Sequence, residues 1–166
     1  MAPHQIGVQA TAVITGSALS GAMLCLSAIA VPVFLDTDHT SSHLVRQWAR
    51  TYHYGHIILP AVCIATCGLY AYITLTKRAM GRKHWPTYAA AGMTTLAMVP
   101  FTWVLMAPTN NTLFGLERVS SKTADDDLGA VRQLVVAWSW LHVTRSLFPL
   151  VGAIVGLRGL LEDLGV

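Results

Sequence analysis

Three side chains able to do chemistry sit close together near the C-terminal end of the chain: Trp138, His142 and Arg145. Spacings of four and three place them on one face of a helix, and Pro149 continues the stripe. An arginine inside an apolar run costs about 2.5–3.5 kcal/mol at a helix centre on insertion scales, so it must face a bundle interior or a wet cavity. A second cluster stands at His53 and His56, three residues apart and flanked by Tyr52 and Tyr54. A third is the run Pro108, Thr109, Asn110, Asn111. Two chemistries suit these residue types. In the first, a neutral imidazole removes an acidic C–H proton while arginine and asparagine hold the oxyanion that forms, with Trp138 as an aromatic wall. In the second, His53, His56 and His142 bind a metal ion, Fe or Cu, as a three-histidine site; only Asp36 offers itself as a further ligand.

The elements that position these groups must be membrane helices. Of 166 residues, 54% are hydrophobic and 11% charged, and the mean hydropathy is +0.52, values that place the chain outside ordinary soluble domains. Apolar runs predict four spans, over about 11–35, 55–76, 87–107 and 134–161. At about 20 residues per span these use roughly half the chain and leave no room for a separate soluble domain. The expected fold is therefore all-α: a single integral membrane four-helix bundle, with lipid as its solvent. Leu44, Trp48 and Tyr52 recur every fourth residue between the first two spans, while His43, Arg46, Arg50 and His53 fill another stripe. That pattern predicts a short amphipathic helix at the interface.

Ala28-Ile29-Ala30 fits a small-x-small cleavage pattern, but residues 1–10 hold no Lys or Arg and the apolar stretch exceeds a signal peptide's, so the first run is expected to be a retained helix. Pro100 predicts a kink in the third span, and Pro108 its end or a bend. Thr109 to Asp127 reads as a polar loop, with Lys122 solvated and the Asp125-Asp126-Asp127 run at a helix N-terminus. Gly152 and Gly156 form a GxxxG spacing that suits close helix packing or a homo-oligomer. Lys77, Arg78, Arg82 and Lys83 mark the 77–86 loop, and with it both termini, as cytoplasmic, and Trp85 and Tyr88 read as an interfacial aromatic belt. On this count the His, Asn, Trp and Arg groups converge at the non-cytoplasmic end, while the opposite end carries only exposed Lys and Arg.

Several function classes drop out. No basic run interleaved with aromatics suits nucleic acid. Cys25, Cys63 and Cys67 all lie in apolar runs, without the CxxC or loop thiols that a disulfide oxidoreductase uses. The paired broken helices of transporters are missing, although a small membrane scaffold, with Arg145 and His142 as glue between helices, stays open.

Four spans, Pro108-Thr109-Asn110 at the end of the third, and Trp138-x3-His142-x2-Arg145 in the fourth resemble the small membrane anthrone oxygenases of fungal polyketide pathways, over nearly the whole chain. The resemblance implies oxidation of an aromatic small molecule, an anthrone, to the anthraquinone, with O2 as co-substrate and no flavin, haem or nicotinamide. For that reaction the residues suggest His142 as base, with His56 and His53 as alternatives or relay, and Arg145 and Asn110 as partners of the oxygens. Trp138, Thr109, Tyr54 and Asn111 are then expected to line the substrate site. The implied location is the endoplasmic reticulum or another endomembrane.

Overall fold

A computed structural model describes residues 3–120 and 127–165, with side chains over 5–119 and 127–165; Lys122, Asp125 and Asp126 fall outside them. Among the described residues every regular element is helical, and the elements line up into four rods. The first rod is α1 (Pro3–Cys25), a π-helical turn over Leu26–Ala30, and α2 (Val31–Thr37). Pro32 explains the turn: it has no N–H to give the ladder and its ring crowds the carbonyl four residues back, so Val31 N–H reaches back to Leu26 O instead.

The second rod, α3, runs unbroken over Ser41–Ala79. The amphipathic stretch expected between the first two spans is present, fused to the second span as its first turns. Leu44 and Trp48 are buried there, while Arg46 and Arg50 are exposed. The third rod contains α4 (Trp85–Leu96), α5 (Met98–Phe101), a second π turn over Thr102–Met106, and α6 (Ala107–Ser120). Pro100 accounts for the break after Leu96, the residue whose carbonyl its ring would strike. Pro108 follows the second π turn as Pro32 follows the first. It does not end the helix, and most of the expected polar loop after it is α6. Leu113, Phe114 and Leu116 pack into a core around Trp48 and Trp138, and burying them holds those turns helical.

The fourth rod, α7, spans Leu128–Leu164, its N-terminus capped by Asp127, whose side chain accepts from Gly129 N–H. First and third rods lie diagonally, each packed on the second and the fourth. Three helical stretches, Gln5–Thr37, Ser41–Ala79 and Trp85–Val119, are long and apolar enough to cross a membrane. The fourth rod is distinguished by the polar groups it buries mid-length. Gly152 and Gly156 serve packing inside the chain. A Cβ on Gly152 would lie 2.2 Å from Thr95 Oγ1, and one on Gly156 would lie 2.5 Å from the Tyr70 hydroxyl. At both positions the space is filled by the chain's own side chains, Thr95 and Tyr70.

The 77–86 end is also different from expectation. Lys77 and Tyr88 are buried rather than exposed or interfacial. Asp163 Oδ2 accepts from Lys77 Nζ at 2.5 Å, from the Tyr88 hydroxyl at 2.7 Å and from Gln9 Nε2 at 3.2 Å. One carboxylate thereby ties all four rods together.

Candidate active site

Between the second and third rods, with the fourth as its floor, lies a cavity of about 450 Å³. Its size is within the range of small-molecule sites. One wall is the α3 stripe Tyr52, His56, Pro60 and Ile64; the other is Leu96, Val99 and Trp103 of the third rod; the floor is Trp138, His142 and Arg145. The floor follows from helical spacing alone. All three residues point inward, His142 at 1% and Arg145 at 9% exposure.

His142 stacks on Trp138, with ring centroids 4.8 Å apart and planes 28° apart. Its Nδ1 lies 3.1 Å from Ser27 Oγ, and that hydroxyl lies 3.5 Å from Ser139 O. Ser27 sits in the first π turn, which brings its hydroxyl against the fourth rod. Arg145 Nη1 donates to Thr102 Oγ1 at 3.1 Å, and Thr102 opens the second π turn. Arg145 Nε is buried without a partner, and among the described residues no carboxylate pairs with this guanidinium. An unneutralised cation in a cavity wall is an anion site in waiting. Trp138 is held in turn by Asn110, whose Oδ1 accepts from the indole N–H at 3.0 Å. His56 stacks on Tyr52, and because a carbonyl only accepts, its Nδ1–H donates to Tyr52 O at 3.1 Å.

Of the residues singled out by sequence, the cavity brings together His142, Arg145, His56 and Trp138. Asn110 touches the site only through Trp138. His53, Tyr54 and Asn111 are exposed and do not line the cavity, and nor does the half-buried Thr109. The three histidines named for a metal ion do not gather at one point. Among the described residues no three or more His, Cys, Asp or Glu gather in a way that could hold a metal ion: His53 is outside while His142 is sealed within. Ser27 and Thr102 were missed. Single hydroxyls in apolar runs are weak signals, yet each stands five or six residues ahead of a proline, Pro32 or Pro108.

The site also lies deeper than expected. It is at mid-rod, not at the bundle's end, because α6 and the first turns of α3 and α7 add helix above it.

The sequence profile of the anthrone oxygenase family matches residues 48–155, which include both cavity walls and the floor. The anthrone oxygenase dmxR16 of Cryptosporiopsis sp. is 56% identical over 164 residues, covering 96% of this chain and 92% of its own length. The anthrone oxygenase nsrD of Aspergillus novofumigatus is 57% identical over 157 residues, with 95% of each chain covered. The chain belongs to the anthrone oxygenase family. Its likeness extends to the noranthrone monooxygenase of Aspergillus flavus, 37% identical over 94% of this chain and 74% of that one. Membership makes the chain an oxygenase. No solved structure matches it.

Proposed function

We propose that this anthrone oxygenase family member spans an endomembrane with all four rods, its 77–86 loop on the cytoplasmic side. There it converts an anthrone to the anthraquinone with O2 in the cavity above Trp138, His142 and Arg145. The observation that carries the reading is Arg145, a buried cation that no carboxylate pairs with among the described residues and that stands beside an imidazole in an aromatic-walled cavity. Such a pair suits a reaction that turns a neutral substrate into an anion.

The chemistry follows from the substrate. The methylene opposite an anthrone's ketone is acidic because its anion is an aromatic oxyanion. If His142 Nδ1–H donates to Ser27 Oγ, and the Ser27 hydroxyl donates on to Ser139 O, Nε2 carries the lone pair that removes that proton. Arg145 faces the oxygen where the charge gathers. The anion passes one electron to O2, and radical and superoxide join in a C–O bond. Protonation then gives a hydroperoxide. Loss of the second C–H proton, cleavage of the O–O bond and departure of water leave the quinone. One anthrone and one O2 thus give one quinone and one water. Trp138, held by Asn110, stacks on His142 and presents a flat face to the rings.

The test is oxygen uptake and quinone absorbance by the purified protein in nanodiscs, given a simple anthrone. His142→Ala is expected to fall by about two to four orders of magnitude, the range of a general base's contribution. Undiminished turnover in that variant overturns the assignment.

A further inference from the structure

We infer that the aromatic substrate reaches the cavity sideways from the bilayer, through a slot between the second and third rods framed by Ile64 on one side and Leu96 and Trp103 on the other. The inference rests on the reading of the cavity as the oxidation site and of the rods as membrane-spanning.

Depth is the first argument. Arg145 lies seventeen residues into α7, about 25 Å of helix below its start at a rise of 1.5 Å per residue. Sealing is the second. Toward the 41 and 128 ends the rods are plugged by Leu44, Trp48, Met106, Leu113 and Val135, all buried in one cluster. Toward the other end Leu19, Met23, Leu59, Cys63 and Met98 close the interior, with Phe148 packed against them. The side chains named in both plugs are apolar.

The third argument is what the side walls show. Ile64, Leu96 and Trp103 line the cavity and yet are 65%, 47% and 73% exposed. Residues that face a cavity and the surroundings at once form a rim. Its position follows from the backbone. α3 packs on α4 and on α6, while α5 and the second π turn, which lie between those two, are not among its close neighbours. Pro100 and Pro108 interrupt the third rod's ladder on either side of this stretch, so the wall departs from a straight helix where the slot lies. A flat, fused-ring ketone dissolves in hydrocarbon, as O2 does, so both reactants are most concentrated where the slot opens.

A competing polar route exists. A hollow of about 320 Å³ lined by Phe34, His43, Arg46, Gln47 and Arg50 shares Thr51 with the cavity wall. One experiment separates the two. In nanodiscs, Ile64→Cys/Leu96→Cys on a Cys25→Ser background is bridged with a cleavable bis-maleimide, and turnover of a simple anthrone is followed. A protein without the two new cysteines, treated alike, is the control. Bridging is expected to lower kcat/KM by about tenfold or more, with recovery when the linker is reduced. Arg50→Trp, which crowds only the polar hollow, is expected to leave kcat/KM unchanged. In case the double variant folds poorly, Ile64→Trp narrows the same slot with one outward-facing residue; it is expected to lower kcat/KM with kcat retained at saturation. Wild-type rates in the bridged protein and in Ile64→Trp overturn the route, as does a loss confined to Arg50→Trp. If unmodified wild type oxidises no anthrone, the oxidation reading itself falls and takes this inference with it.

Discussion

Replacing Arg145 by Met separates an arginine kept for chemistry from one kept as glue between helices. The stem's packing survives, because the Met side chain matches Arg atom for atom out to Nε. What is lost is the charge and the donation to Thr102 at 3.1 Å, and a hydrogen bond from a charged donor contributes about 1.5–3 kcal/mol. What is recovered is the cost of holding an arginine in mid-helix, about 2.5–3.5 kcal/mol on insertion scales. Among the described residues no carboxylate loses a partner, and the Thr102 hydroxyl keeps its donation to Met98 O at 2.8 Å. The net expectation is a protein as stable as wild type, or more stable by up to about 2 kcal/mol, the difference of those two ranges. Activity moves the other way: removing an oxyanion donor costs about 10²–10³ in kcat. The assay pairs detergent-titrated or thermal unfolding of the reconstituted protein with anthrone-dependent oxygen uptake. A variant that loses more than about 2 kcal/mol of stability yet still turns over refutes the reasoning, and Arg145 is then structural.

Two more perturbations test the frame around the site. Asp163→Leu strands the buried Lys77 ammonium and is expected to cost about 3–5 kcal/mol; Lys77→Met added to it should restore a large share, as measured by the same unfolding assay, and equal instability of single and double variants contradicts the ion-pair account. Gly152→Ala forces a Cβ to within 2.8 Å of the Ala91 carbonyl and closer still to Thr95 Oγ1, so it should cost about 1–3 kcal/mol by overpacking; Gly68→Ala, with nothing within 4 Å, is the control that should not fall.

How much of this was legible in sequence depends on whether a feature is periodic or made by a break in periodicity. Trp138, His142 and Arg145 repeat at helical spacing, so their common face and inward direction could be read directly. The bundle followed from apolar runs in the same way. The depth of the site could not be, because Thr109, Asn110, Asn111 and Thr112 look like loop; only contacts with Trp48 and Trp138, distant in sequence, show that Leu113 and Leu116 continue a helix. His53 and His56 looked equivalent by spacing, but only His56 lines the cavity. The two hydroxyls that bind the His142 ring and the Arg145 guanidinium lie where the ladder is disturbed. Ser27 and Thr102 are each in a π turn ended just before a proline. Widening the helix by one residue rotates the following turns, and the side chain in the turn is carried toward the fourth rod instead of along its own stripe. The prolines expected to act as kinks thus have a second effect, since each hands one hydroxyl to one of the two polar groups on the floor. A hydroxyl upstream of a mid-span proline is therefore the signal to look for opposite a buried His or Arg.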